Sequence, residues 1–219
     1  MTEDKKKQII SRVDHTLLKA MATWEQIDTL CREAVQYKTA SVCIPPSYVK
    51  RAAEAYGGGL VICTVIGFPL GYSSIETKVF EAEDAIGKGA AEIDMVINIG
   101  DVKNRAWDLV EQELAALRGA VRGKILKVIV ETCYLEQAEK IELCRLVSES
   151  GADFIKTSTG FGTGGATLED IALLRAHIGK NVRIKAAGGM RSAGDHEAFF
   201  DAGADRLGSS SAIEALYGT

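Results

Sequence analysis

Two lysines carry the strongest chemical signal in the sequence: Lys156, at the end of Asp153-Phe-Ile-Lys156, and Lys185, inside Val182-Arg-Ile-Lys-Ala-Ala187. An amine attacks a carbonyl carbon only when neutral, and a free lysine with a pKa near 10.4 is roughly 0.04% neutral at pH 7. A second ammonium beside it, together with removal from water, lowers an amine's pKa and supplies the nucleophile. The product with a carbonyl compound is a Schiff base, an electron sink that lets the neighbouring carbon–carbon bond break. The competing reading of the same pair is a buried ion-pair network.

Glycine and serine follow both lysines. Lys185 leads into Ala-Ala-Gly188-Gly189-Met-Arg191, and Gly208-Ser209-Ser210-Ser211 stands at the start of a helical pattern. Glycines let backbone N–H groups approach a ligand and serines add hydroxyl donors, so both segments suit a phosphate. A third loop of this kind, Thr159-Gly-Phe-Gly-Thr-Gly-Gly165, comes shortly after Lys156. The three act together only if the strands before them end at one mouth.

The elements of the chain meet that condition. Among 219 residues there are 22 glycines and only 3 prolines, and the hydrophobic period alternates between two and 3.6 throughout. Eight strand-like runs, near 13–16, 41–44, 60–67, 92–98, 126–132, 153–158, 182–187 and 205–208, are each followed by a helical pattern. Leu109, Val110, Leu114, Leu117 and Val121 share one helix face, and Ile171, Leu174 and Ile178 another. Thr23 with Gln26 and Ser73 with Glu76 fit helix-starting capping boxes. Gly89-Ala-Ala-Glu-Ile-Asp94, Gly151-Ala-Asp-Phe-Ile-Lys156 and Gly203-Ala-Asp-Arg-Leu-Gly208 align as helix end, turn and strand. With no break in composition, these units predict an α/β fold: a single-domain (β/α)8 TIM barrel over 1–219, with 1–12 as an N-terminal helical extension. An open doubly wound sheet is the alternative, but no G-x-G-x-x-G follows the first strand.

Side chains alternate along a strand. Ile93, Met95 and Ile97 therefore face the helices while Glu92, Asp94, Val96 and Asn98 face inward; likewise Leu126, Val128 and Val130 oppose Lys127, Ile129 and Glu131. Phe154 and Lys156 point inward in the sixth strand, and Arg183, Lys185 and Ala187 in the seventh. Buried charges cost several kcal/mol each unless paired. A plug of ion pairs accounts for Glu92, Lys127 and Arg183 low in the barrel, whereas Lys156 and Lys185 stand nearer the C-terminal ends of their strands, where active sites of this fold lie.

The net charge of −4 gives no footprint for nucleic acid or an anionic membrane, and no apolar run approaches the ~18 residues of a membrane span. The partners this leaves are small molecules or proteins. Five unpaired-looking cysteines and a polar N-terminus fit a soluble, cytoplasmic protein, and three scattered histidines offer no zinc motif.

At these residues the sequence resembles the deoxyribose-phosphate aldolase family from Val13 to Ser211. The segments that carry it are Val13-Asp-His-Thr-Leu17, Val42-Cys-Ile-Pro45, Glu92-Ile-Asp-Met-Val96, Lys127-Val-Ile-Val-Glu-Thr132, Asp153-Phe-Ile-Lys-Thr-Ser-Thr-Gly160, Ile184-Lys-Ala-Ala-Gly-Gly-Met-Arg191 and Gly208-Ser-Ser-Ser211. The resemblance implies a lyase of deoxyribose catabolism that reversibly cleaves 2-deoxy-D-ribose 5-phosphate to D-glyceraldehyde 3-phosphate and acetaldehyde, with no metal or organic cofactor, as a homodimer. It makes Lys156 the Schiff-base lysine, Lys185 its tuning partner and Asp94 a proton relay acting with water. It places Asp14, Thr16 and Cys43 at the barrel mouth, and the phosphate site on Gly188, Gly189, Gly208, Ser209 and Ser210. Some members carry a lysine directly after the Ser-Thr-Gly of the sixth strand; here Phe161 stands there, which shifts the loop's grip to the backbone near Gly162 and Gly164.

Other polar residues read as structural. His15 suits a hydrogen-bonded packed position, His177 and His196 a helix surface, and Glu131 an ion pair with Lys127 ahead of the alternative of facing the cavity. Trp24, Trp107 and Tyr217 read as packing residues, Tyr217 with the added option of reaching the site from the C-terminus. Two rival functions remain: a phosphate-binding barrel isomerase working by acid–base chemistry, and a silent phosphosugar-binding barrel whose lysines are held in ion pairs.

Overall fold

The computed structural model describes residues 1–218. After α1 (Glu3–Ile10) the chain runs β1 (Val13–Thr16), α2 (Trp24–Tyr37), β2 (Ser41–Ile44), α3 (Val49–Tyr56), β3 (Ile62–Ile66), α4 (Ile75–Gly87) and β4 (Glu92–Val96). It continues through α5 (Ile99–Lys103), α6 (Trp107–Ala120), β5 (Ile125–Ile129), α7 (Gln137–Ser150), β6 (Phe154–Lys156) and α8 (Leu168–His177). The last units are β7 (Arg183–Ala187), α9 (Ala193–Asp201), β8 (Arg206–Ser209) and α10 (Ala212–Tyr217). The strands form a closed parallel barrel in chain order, with β8 pairing back onto β1. This is the expected (β/α)8 architecture.

Alternation sorts the barrel as the sequence predicts. Ile93, Met95, Leu126, Val128, Ile155 and Ile184 are fully buried in the layer between strands and helices. Glu92, Asp94, Lys127, Lys156 and Lys185 are buried on the other face, inside the barrel. Closure between parallel strands leaves no unpaired edge.

Two local expectations shift. Thr23 and Gln26 form the expected capping box, but α4 starts one residue later than the sequence suggests, capped by Ser74, which accepts from Thr77 N at 3.3 Å. Two adjacent serines offer the same capping chemistry, and Ser74 is the one whose hydroxyl meets the N–H three residues on. Arg183 keeps the inward face but joins no buried ion pair: it is exposed at the start of β7, its guanidinium 4.0 Å over the inward-facing Phe154 ring. The register pairs Phe154 with Arg183 but Lys185 with Arg206, so the stagger lifts β8 by two residues. Arg206 thus supplies the ion-paired guanidinium expected of Arg183.

Candidate active site

Asp94 is the centre of the interior. Its Oδ1 accepts from Lys127 Nζ at 2.8 Å and from the Cys63 thiol at 3.1 Å. Its Oδ2 accepts from Lys156 Nζ at 2.8 Å and Lys185 Nζ at 2.7 Å. One layer lower, Lys127 meets Glu92 at 2.5 Å, and Arg206 bridges Glu92 and Asp14. Asp14 also accepts from Lys185 and, at 2.8 Å, from Ser41 Oγ. The register makes this convergence inevitable, because Asp94 sits opposite Lys127, and Lys156 opposite Lys185.

Burial, the largest influence on Asp94, works to raise its pKa, but Lys127, Lys156 and Lys185 together hold it well below the carboxylate range. Asp14 is held low in the same way by Lys185, Lys127 and Arg206. For Lys185 burial pulls downward, yet Asp14 and Asp94 prevail and keep it above its ordinary value, so it remains the ammonium of the lysine pair. Four cations, Lys127, Lys156, Lys185 and Arg206, face three carboxylates, Asp14, Glu92 and Asp94. A neutral amine on one lysine brings this buried cluster to balance.

Of those four cations only Lys156 reaches the cavity at the C-terminal mouth, a space of about 360 Å³. Thr16, Gly188, Gly189, Gly208, Ser209 and Ser210, all expected at the site, line it. Asp14, Cys43, Asp94 and Lys185 lie beneath as its buried floor; Cys43 packs with Cys63 and Val65 against Leu18 and Phe68. Gly162 is not brought to the cavity. A Cβ there would meet Cys133 Sγ at 2.9 Å, and the loop presents Thr159, Gly160 and Phe161 instead.

Backbone shape fits the mouth to an anion. Gly188 and Gly189 have φ of +78° and +86°, the left-handed region that glycine enters without strain. Their N–H groups, and that of Ser210, have no partner among the described residues. A Cβ on Gly208 would sit tightly against Lys185 Cε at 3.2 Å, and one on Gly165 would strike the Gly188 carbonyl carbon at 2.5 Å, so the second approach requires glycine. Lys19, which no motif in the sequence singles out, and Arg191, the end of the Gly188-Gly189 segment, add two exposed cations to the rim. Phe161 lies edge-on to Phe68, ring centres 5.3 Å apart.

Glu131 does not pair with Lys127. It stands past the end of β5 with φ of +54°, and its carboxylate accepts from Thr159 N at 3.2 Å and from the Thr159 hydroxyl, fixing the loop after Lys156. It stands four positions beyond Lys127, whose ammonium is already held by Glu92 and Asp94. His196 is no surface residue but fully buried, bonded to Ser192 and Ser209, because its helix turns it under the β8 loop. His15 bonds Glu33 at 2.8 Å, and His177 is exposed, both as expected. Tyr217 packs on Tyr37, ring centres 4.9 Å apart, at the far end of α10.

The rival acid–base chemistry needs a free histidine or carboxylate at the cavity. His15 and His196 are engaged elsewhere, and Asp94 lies beneath the cavity, bonded to the lysine ammonium groups, where it meets substrate only through Lys156 or a water. Cys43 Sγ, Cys63 Sγ and an Asp94 oxygen lie within 4.8 Å of one another, a spacing a metal could use, but those ammonium groups oppose a further cation.

A barrel that aims one lysine of a buried pair at a mouth of free N–H groups has the construction of a lysine-dependent aldolase. Residues 8–209 match the model of the DeoC/LacD family aldolases, and the chain belongs to that family. It is 60% identical over 210 residues to the deoxyribose-phosphate aldolase of Clostridioides difficile, covering 96% of both chains. Against the deoxyribose-phosphate aldolase of Streptococcus pyogenes it is 58% identical, covering 96% of this chain and 94% of that one. The solved tetrameric deoxyribose phosphate aldolase of Aeropyrum pernix superimposes with a TM-score of 0.90 at 32% identity, over 96% of this chain and 90% of that one.

Proposed function

We propose that this chain cleaves 2-deoxy-D-ribose 5-phosphate reversibly to D-glyceraldehyde 3-phosphate and acetaldehyde through a Schiff base on Lys156. The observation that carries the assignment is that Lys156 alone among the buried cations opens to the cavity, while sharing one Asp94 oxygen with Lys185. Neutral Lys156 attacks the aldehyde carbon of the open-chain sugar. Asp94 and a water move the protons that turn the carbinolamine into the iminium, with Lys185 as the neighbouring ammonium. The iminium draws electrons from the C2–C3 bond as the C3 hydroxyl loses its proton. Glyceraldehyde 3-phosphate departs, and the enamine left on Lys156 is protonated and hydrolysed to acetaldehyde.

The phosphate sits against the N–H groups of Gly188, Gly189 and Ser210, its charge met by Lys19 and Arg191. This anchor fixes the chain so that the reacting carbon falls at Lys156. The assembly we propose is a homodimer, on the strength of the family resemblance; a tetrameric mass in solution overturns it. The compartment we propose is the cytoplasm, supported by five free cysteines. No helix of the described residues is long and apolar enough to cross a membrane.

Borohydride trapping with 2-deoxyribose 5-phosphate, followed by intact mass and peptide mapping, tests the chemistry. A single adduct on Lys156 is expected. Bound substrate with no adduct rejects the Schiff base and moves the isomerase and silent-binder readings forward.

A further inference from the structure

The loops after β7 and β8 both line the cavity, and one chain of hydrogen bonds ties them together. His196, near the start of α9, is fully buried. Its Nδ1 lies 2.7 Å from the Ser192 carbonyl oxygen and its Nε2 lies 2.8 Å from Ser209 Oγ. A carbonyl oxygen only accepts, so Nδ1 carries the hydrogen. Burial lowers the imidazole's pKa, outweighing the Ser192 carbonyl and Asp195, and favours the neutral ring. In that state Nε2 has a lone pair and no hydrogen, so the Ser209 hydroxyl donates to it.

The polarity of the chain is then fixed. Ser209 Oγ accepts from Ser211 N at 3.1 Å, and the Ser211 hydroxyl donates to the Met190 carbonyl, also at 3.1 Å. The hydroxyl hydrogens of Ser209 and Ser211 are thus engaged within the protein. On the cavity side this leaves the N–H groups of Gly188, Gly189 and Ser210 and the Ser210 hydroxyl.

We propose that His196 is a positioning residue for the substrate phosphate: as a neutral acceptor it locks the Ser209 hydroxyl and clamps the β8 loop to the β7 loop, holding the Gly189 and Ser210 donors at a fixed spacing. Ser209, expected among the phosphate ligands, then acts on the phosphate only through the loop it holds. The inference rests on reading the cavity as a sugar-phosphate site.

Four measurements decide it. Nitrogen-15 spectra of the wild-type imidazole read the tautomer directly; hydrogen on Nδ1 with a bare Nε2 is expected, and hydrogen on Nε2 at neutral pH overturns the proposal. Kinetics of His196→Ala should raise KM for 2-deoxyribose 5-phosphate about tenfold, one hydrogen bond's worth. The effect on kcat/KM for unphosphorylated 2-deoxyribose should be several times smaller, and His196→Gln, whose amide oxygen offers an acceptor near the Nε2 position, should recover most of the loss. Equal losses on both substrates, or no recovery with glutamine, overturn the clamp. Ser209→Ala should match His196→Ala and the double variant should add nothing; a larger, additive loss makes Ser209 a direct ligand instead.

Titration with inorganic phosphate, read at the Gly189 and Ser210 amides, separates the two levels of the argument. Weakening by about tenfold in Ser209→Ala or His196→Ala supports the clamp whatever the enzyme cleaves. Unchanged phosphate binding sinks it even if Lys156 traps substrate, whereas failure of trapping alone sinks only the aldolase reading.

Discussion

Two regions of this barrel bury lysine, and they differ in how the ammonium is satisfied. Lys78, fully buried between α4, β4 and α6, donates to the Gly71 carbonyl at 2.5 Å, the Val96 carbonyl at 2.8 Å and the Glu113 carboxylate. Glu113 in turn accepts from Asn98 N at 3.0 Å. Three hydrogens meet three acceptors, and nothing faces a cavity. Lys156 has one carboxylate oxygen at 2.8 Å, shared with Lys185, and its remaining valence points into the mouth. Burial of charge is common to both, so burial does not mark chemistry. An incompletely satisfied amine beside open space does.

Substitution should separate the two regions cleanly. Lys156→Ala should cut turnover by at least about 10⁴-fold, the scale of losing a covalent nucleophile, while unfolding moves little. Steady-state assays beside a urea titration read both. Lys78→Met should do the reverse. It strands Glu113 in the interior and should cost about 3–5 kcal/mol of stability, with a much smaller change in kcat per folded molecule. Adding Glu113→Leu should recover much of that cost, because an apolar pair replaces the ion pair. If Lys78→Met instead abolishes turnover without destabilising, the contrast between the regions collapses.

The two regions also answer acid in opposite senses. Asp14 and Asp94 are held low, against the pull of burial, by their lysines. Their stabilisation is fully present above the ordinary carboxylate pKa and is lost as pH falls through their lowered values. Burial pushes the Glu113 carboxyl up from 4.5, with Lys78 and Asn98 N–H only partly opposing. Its ionised form therefore costs stability above the raised value, and that cost fades as pH falls toward 4.5. Urea unfolding from pH 7 downward should show Asp14→Asn losing less stability than wild type below pH about 4. Glu113→Gln, which strands the Lys78 ammonium and starts below wild type, should fall further behind between neutrality and pH about 4.5, because wild type alone sheds the cost of the ionised Glu113 there. Parallel curves for all three proteins would refute the opposed signs.

What the sequence disclosed and what it withheld follow the same division. Strand parity is local, so alternation alone is enough to put Asp94, Lys127, Lys156 and Lys185 inside the barrel, where all four are buried. The glycine and serine loops were legible too, because positive φ and close approach restrict residue type. Arg206 was exchanged for Arg183 because barrel stagger is a property of closure, which no single strand encodes. Lys78 and Glu113 stand 35 residues apart on two outer helices, where each reads as an ordinary charged face. The surroundings of Glu131 and His196 are not legible in the sequence, because their partners, Thr159 and Ser209, come from other loops.

The rim offers the smallest test of the comparison. Phe161 is 53% exposed and packs edge-on to Phe68, so the mouth combines free N–H donors with an apolar shoulder where some relatives by resemblance carry a lysine. Phe161→Lys adds a charge that the phosphate can pair in water and removes an aromatic contact. Exposed ion pairs contribute about 0.2–1 kcal/mol, so KM for 2-deoxyribose 5-phosphate should fall by at most about fivefold. The gain should shrink as salt rises from about 0.05 to about 0.5 M, since screening weakens an exposed pair. No such change should appear with 2-deoxyribose, which has no phosphate to pair. A fall in KM that survives high salt would mean that the new ammonium is shielded from water, and the rim would then belong with the buried cluster beneath it rather than with the solvent.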